Sequence, residues 1–223
     1  AFLVSPFSEA VLLSVDGFGH FSSASWGVGA EGRMRLDGRV YFPHSLGIFY
    51  LAMTQYLGFP KYGDEYKVMG LAPYGKPSRM DAMRQVVRTV PEGEFRLDLD
   101  YFRHHREDLA YRWDGGAPTV ERHFTDALVD LLGPARNEGE ALEQRHFDIA
   151  RSAQARYEEA VLAMLRVIHT RYRLDAVVVS GGAAMNSVAN GKVTRETPFA
   201  RIFPPPAPGD AGGAVGAGLA AYH

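Results

Sequence analysis

An α/β fold built on a mixed sheet is what this sequence predicts, and three stretches predict it. Ala10–Asp16, Ser22–Val28 and Met34–Phe42 are short apolar or alternating segments joined by glycine-bearing turns, the pattern of an antiparallel meander. Phe147–Tyr172 carries Ile149, Ala153, Ala160, Val161, Met164 and Ile168 at helical spacing. Ala176–Val179 is an apolar run rich in β-branched residues, the composition of a strand buried on both faces. It leads into Ser180-Gly181-Gly182 and a helix start near Ala183. Paired glycines there let backbone approach a nucleotide, and a helix start offers N–H groups to polar ligand atoms.

Composition narrows the field. With 223 residues, 46% of them hydrophobic, the chain can bury a core in one large or two small domains. A net charge of −2 gives no electrostatic argument for nucleic acid or an acidic membrane as partner. The absence of cysteine excludes disulfides and thiolate metal sites and suits a reducing, cytoplasmic compartment. No apolar run reaches the roughly 18–20 residues of a membrane span, and no signal peptide is recognisable. The chain opens AFLVSPFSEAVLLSVD, without Met and already in apolar material, as expected of a piece of something longer.

Taken in order, the first strand ends at Asp16 in a turn, Gly17-Phe18-Gly19, and the third bends at Asp37-Gly38. Ser45 caps a helix carrying Leu46, Phe49, Met53 and Leu57 and closed by Gly58. Asp64–Leu71 is a short helix stopped by Pro73-Tyr74-Gly75. Residues 78–145 read as an insertion or lid, largely helical: a helix over Ser78–Val90, an exposed strand at Phe95, Leu97 and Leu99, and a helix over Glu121–Leu132. Beyond the 176–180 strand come a helix over 183–195, a strand at Arg201–Phe203 and a small-residue helix over Asp210–Ala221. The order β-β-β-α-β-α-β-α around the insertion is that of a ribonuclease-H-like domain, the building block of the actin-like ATPase superfamily. The expected domain map is therefore 1–77 with 146–223, interrupted by 78–145.

Four stretches carry candidate chemistry. In SVDGFGHFSS, Asp16 offers a hard oxygen ligand beside the N–H groups of Gly17 and Gly19, or is an ordinary hairpin Asp. In GDAGGAVGAG, Asp210 is either a ligand at a helix mouth or an N-cap, and the glycines argue for close approach of something. Glu65 and Lys67 lie between glycines in GDEYKVMGLAPYG, as functional groups or as a solvated pair. His44 caps, packs or acts, and His104-His105 have no partner at metal spacing. The G-x-G-x-x-G match over Gly27–Gly32 reads as a hairpin turn, and Asn190-Gly191-Lys192 is no P-loop.

The strings SPFSEAVLLSVDGFG, FPHSLGIFY, LGFPKYGDEYKVMGLAPYG, DIARSAQ, VVVSGGAAMNSVANGK and FPPPAPGDAGGAVGAGLAA, in that order, resemble the NodU-type carbamoyltransferases. The resemblance implies a two-part reaction. A YrdC-like domain makes carbamoyl-adenylate from carbamoyl phosphate and ATP, and an actin-like domain moves the carbamoyl group to a hydroxyl of a sugar, aminoglycoside or other natural product. The chain resembles the second half of that actin-like domain, so the preceding half and the YrdC-like domain are expected partners from the same polypeptide; a homodimer is left open. The resemblance makes Asp16 and Asp210 ligands of Fe(II) or another divalent metal. The family completes that site with an H-x-x-x-H pair, and no two histidines here are four apart, so the site should be half built. Gly181, Gly182 and Asn186 would hold adenosine, Glu65 would accept ribose hydroxyls, and Gly17 and Gly19 would face phosphate. Lys67 would meet phosphate or pair with Glu65. No covalent nucleophile is nominated. The alternatives are a tRNA threonylcarbamoylation-type enzyme, an actin-like-fold kinase or ATPase, and a non-catalytic nucleotide-binding module.

Overall fold

Three N-terminal strands, β1 (Glu9–Gly19), β2 (Ser22–Ala30) and β3 (Arg33–Tyr41), form an antiparallel meander in the computed structural model of the chain, which describes residues 1–19 and 21–222. His20, within the SVDGFGHFSS stretch, and His223 lie outside the described residues. Then follow α1 (Leu46–Tyr56), α2 (Glu65–Leu71), α3 (Met80–Val86), β4 (Val87–Thr89), β5 (Phe95–Leu97), β6 (Tyr111–Arg112), β7 (Thr119–Val120) and α4 (Asp126–Leu132). The last part holds α5 (Gln144–Tyr172), β8 (Ala176–Ser180), α6 (Ser187–Asn190), α7 (Val193–Glu196), β9 (Arg201–Phe203) and α8 (Ala211–Tyr222). The main sheet is five-stranded and mixed, in the order β3-β2-β1-β8-β9, with β1–β8 and β8–β9 parallel. The fold is thus α/β.

The chain divides into two compact units. The first comprises 1–47, 89–95 and 160–223 and holds the whole main sheet; the second comprises 48–88 and 96–159, and so takes in most of 78–145. In the first unit, Ala10 and Leu12 of β1 pack with Ala176 and Val178 of β8 and with Phe2, flanked by Leu3, Phe7 and Phe203. Burying such side chains stabilises by about 1.5–3 kcal/mol each for the larger ones. In the second, the buried set includes Phe49, Tyr56, Met83, Phe102 and Leu128.

Several elements differ from the sequence expectation, each for a local reason. Gly17-Phe18-Gly19 is the end of β1 and not a turn: the β1–β2 register shifts between Val15 and Gly19, and Gly19 pairs with Ser22. Gly27 and Gly29 lie inside β2, and the hairpin turn falls at Glu31-Gly32, both at positive φ. Those strand glycines are there for contact, since a Cβ on Gly27 would sit 1.9 Å from the Arg35 carbonyl and one on Gly29 2.7 Å from the Phe2 ring. Asp37 is the extra residue of a β-bulge, Trp26 pairing with Gly38 and Gly27 with Leu36. The expected 183–195 helix is a 3-10 turn at Ala183–Met185 followed by α6 and α7. Helix α3 stops at Val86, and α4 starts only at Asp126 because Gln55 Oε1 takes the N–H of His123 and the Tyr101 carbonyl takes that of Thr125. Phe95 and Leu97 are buried rather than exposed.

Candidate functional site

Alternation along β1 sends Leu12, Ser14 and Asp16 to one face, the face on which Leu12 meets Phe2 and Val178. Parallel pairing sets Ser14 beside Ser180, the last residue of β8. Apolar packing therefore gives way, at the carboxyl ends of two neighbouring strands, to two hydroxyls and a carboxylate. A cavity of about 730 Å³ opens there, lined by Ser14, Asp16, Ser180 and Gly181 on one side and by Gly209, Asp210, Gly212, Gly213 and Gly216 on another. The remaining walls are largely apolar, from Leu3, Phe203, the prolines at 205, 206 and 208, Val215 and Leu219. Asp16 and Asp210 are the only ionisable side chains among the described lining residues.

The turn after β8 is built by close backbone contact. Gly181 has φ +93°, and a Cβ on it would lie 2.2 Å from the Val15 carbonyl oxygen. Its N–H donates to the Pro208 carbonyl at 2.7 Å, joining this turn to the proline-rich loop that carries Asp210. A Cβ on Gly182 would meet Asp16 Oδ1 at 3.2 Å, so the carboxylate lies against this turn. The same Oδ1 accepts the N–H of Gly17 at 2.8 Å. Ser45 Oγ faces the Asp16 carbonyl at 3.0 Å and the Gly17 carbonyl at 2.6 Å, pinning this end of β1. In α8, Gly212 answers part of the question its glycines raise: a Cβ there would be 2.1 Å from the Ala207 carbonyl, whereas Gly213 and Gly216 face open space.

Of the residues singled out in the sequence, the structure brings Asp16, Gly181 and Asp210 to one cavity, with Gly182 beside Asp16. Gly17 and Gly19 are not among its lining residues. The N–H of Gly17 is taken by Asp16, and Gly47 packs onto Gly17, where a Cβ would be 2.6 Å from the Gly17 nitrogen. Asn186 is buried, and its Oδ1 accepts the Ala189 N–H at 3.0 Å as the cap of α6. Glu65 and Lys67 lie in the second unit. Lys67 pairs with Asp64 at 2.7 Å and not with Glu65, and its ammonium stands 5.0 Å over the Phe59 ring. Burial pushes the Glu65 carboxyl above the usual carboxylate range. The His44 backbone N–H donates to the Tyr41 carbonyl at 3.1 Å, and its carbonyl accepts from Ser23 Oγ. His104 and His105 are half-buried, ring against ring. Sequence reasoning passed over Ser14 and Ser180. The signal was present: Ser14 stands two residues before Asp16 on a strand, and Ser180 is the first polar residue after four apolar ones.

Two carboxylates on one cavity suit a hard divalent ion as far as they go. Among the described residues no group of three or more His, Cys, Asp or Glu side chains is placed to hold a metal.

A family model described as the carbamoyltransferase N-terminus matches residues 1–219. The nodulation protein NolNO of Sinorhizobium fredii is 33% identical over 98% of this chain and 29% of its own length. The chain belongs to the NodU-type carbamoyltransferase family. This chain is also similar to the nodulation protein NolO of Bradyrhizobium diazoefficiens, 34% identical over 98% of the chain and 36% of that protein. It is similar to an uncharacterised protein of Synechocystis sp., 38% identical over 100% of the chain and 34% of that protein. The chain thus spans about a third of the length of the curated relatives it matches. Among its described residues no helix is long and apolar enough to cross a membrane.

Proposed function

We propose that this chain forms part of an O-carbamoyltransferase that moves a carbamoyl group from carbamoyl-adenylate, made from carbamoyl phosphate and ATP, to a hydroxyl of a small molecule. The observation that carries the reading is the shared cavity of Asp16 and Asp210, beside the Gly181–Gly182 turn. In this proposal residues 1–77 with 146–223 are one half of a ribonuclease-H-like pair, completed by the rest of the same polypeptide in the cytoplasm, and residues 78–145 are the insertion between them.

Asp16 and Asp210 would supply two oxygens to Fe(II) or another divalent ion; such an ion, when bound, is a Lewis acid toward a phosphate or carbamoyl oxygen. The chain's own contribution is placement. With two carboxylates and no basic side chain among the described lining residues, the cavity by itself repels a polyphosphate. Ser14 and Ser180 give the floor hydroxyls that can donate to a carbonyl oxygen or accept from an amide nitrogen of a carbamoyl group. Gly181 and Gly182 bring backbone rather than side chain to the adenylate, while Asn186 holds the following turn in shape. The mostly apolar walls would reduce the water beside a bound carbonyl, which water would otherwise attack. Gly17 and Gly19 act through the path of β1. Glu65 stays the candidate for ribose hydroxyls, and Lys67, neutralised by Asp64, steadies that segment.

The test is to incubate the full-length protein with ATP, carbamoyl phosphate and a panel of acceptor alcohols. Acceptor-dependent formation of AMP and a carbamate supports the proposal. Formation of ADP and a phosphorylated acceptor sinks it in favour of a kinase.

A further inference from the structure

Four steps in the chain place a glycine directly after an aspartate or asparagine: Asp16-Gly17, Asp37-Gly38, Asp114-Gly115 and Asn190-Gly191. At such a step the glycine nitrogen meets least hindrance in attacking the side chain before it. The fold treats the four differently. The Asp16 carbonyl belongs to the peptide plane that such an attack must turn, and Ser45 Oγ holds it at 3.0 Å, while Asp16 Oδ1 takes the Gly17 N–H. Asp37 lies within β3, where the Tyr172 hydroxyl and Arg35 hold its carboxyl below the ordinary carboxylate range, in the ionised form that resists a nucleophile. A Cβ on Gly38 would be 2.2 Å from the Trp26 ring, so that step has no room to turn. At Asn190 the side-chain amide donates to the Ala184 carbonyl at 2.8 Å. The Gly191 N–H, the group that would attack, donates to the Ser187 carbonyl at 2.9 Å.

Asp114-Gly115 has none of these restraints. It lies at the tip of the hairpin between β6 and β7, where residues 111–117 are all exposed. Among the described residues neither the Asp114 carboxylate nor the Gly115 N–H has a hydrogen bond or an ion pair. Gly115 and Gly116 have φ of +67° and +118°, and a Cβ on either would meet nothing within 4 Å. The peptide plane can therefore turn without displacing a neighbour. Below the tip the ladder consists of Tyr111 with Val120 and Arg112 with Thr119, too short to stiffen it.

We infer that Asp114-Gly115 is a modification site, at which the protein isomerises to isoaspartate and so becomes a substrate for a carboxyl-methylating repair enzyme. The Gly115 nitrogen attacks Cγ of the protonated Asp114 carboxyl, and its proton leaves with the acid's hydroxyl as water, closing a five-membered succinimide. Water then re-enters. Opening the bond from nitrogen to Cγ restores aspartate. Opening the bond from nitrogen to the main-chain carbonyl carbon leaves the chain running through Cγ, with a free α-carboxylate for the methylating enzyme. Mass and charge are unchanged, but one extra backbone carbon separates Trp113 from Gly115. None of this depends on carbamoyl transfer.

The experiment ages the full-length protein at neutral pH, folded and in urea. Isoaspartate is read peptide by peptide, by mass spectrometry and by labelled-methyl transfer from an L-isoaspartyl carboxyl methyltransferase. In the folded protein it should accumulate at 114 at least about tenfold faster than at 16, 37 or 190. In urea the three held sites should react as well, and the contrast should shrink. Asp114→Asn should react faster, with ammonia leaving in place of water. Asp114→Glu should abolish methylation of the 113–122 tryptic peptide, because its ring would need a sixth atom. Both variants should melt with the wild type, since the side chain is exposed. The inference is overturned if 114 gains isoaspartate no faster than the held sites, or if urea leaves the contrast unchanged.

Discussion

Gly181 is pressed onto the carbonyl of Val15, where a Cβ would stand 2.2 Å from oxygen, and its φ of +93° is one that side chains other than hydrogen resist. Gly181→Ala should therefore destabilise the fold by roughly 3 kcal/mol or more, through clash and backbone strain together. The neighbouring change makes the contrast. Gly182 has an ordinary φ of −60°, and a methyl there would only crowd Asp16 Oδ1 at 3.2 Å. Gly182→Ala should keep the melting temperature within a few degrees yet reduce transfer. Equal losses of stability in the two variants would contradict this account of the turn.

Asp16→Ala in the full-length protein should lower carbamoyl transfer at least about 100-fold, the scale of several kcal/mol of lost charge stabilisation, while carbamoyl-adenylate still forms. Asp210→Ala should behave alike. Following AMP and the transferred group separately checks it; loss of both steps in Asp16→Ala would show that the carboxylate serves adenylate formation as well.

What could be read from the chain, and what could not, follows from the range of the interactions. Strands β1, β8 and β9, helix α5 and the Asp37 bulge were legible because apolar runs, helical spacing and a glycine after an acid act locally. The sharing of one cavity by Asp16 and Asp210 came through the family likeness rather than spacing, since they are brought together by parallel pairing of β1 with β8 and the Gly181–Pro208 hydrogen bond. Gly17-Phe18-Gly19 misled because a register shift keeps the strand going where glycines suggest a turn. The partner of Lys67 was not legible because two acids precede the lysine, and the one three residues back takes it. The start of α4 was hidden by Gln55, far away in sequence, claiming the His123 N–H.

His123 is buried, with its ring Nδ1–H donating to the Glu121 carbonyl at 2.8 Å, and burial pushes its pKa from 6.5 down to about 4. The folded state thus holds it neutral, whereas the unfolded chain takes up a proton below about pH 6.5. Its contribution is fully present above that pH and is lost as pH falls toward 4, by up to about 3 kcal/mol. Burial shifts His105 and His146 downward too, adding to the same trend. Urea melts at pH 7.5 and 4.5 should show a smaller acid loss in His123→Gln than in the wild type; parallel losses would mean that His123 is protonated in the native state.

In the second unit the Tyr50 hydroxyl donates to Gln154 Oε1 at 2.6 Å, and Gln154 Nε2 donates to Glu158 Oε1 at 2.8 Å, all three side chains being buried. Gln154→Ala removes the middle of this chain and should cost about 2–4 kcal/mol. Gln154→Leu, of similar bulk, should recover little, because the loss is polar and not steric. Denaturant midpoints measure both, and full recovery by leucine would reverse the argument.

Strand β3 closes one side of the main sheet, and it does so with Arg33, Arg35, Asp37 and Arg39 along a nine-residue strand kinked by the bulge at Asp37. Asp37 is fastened from two directions, by Arg35 at 2.9 Å and by the Tyr172 hydroxyl at 2.7 Å. A second molecule laying its own strand alongside would have to bring more guanidinium groups up against these and match a kink it is not shaped for. Concentrated solutions of the protein should accordingly resist fibril seeding along this border.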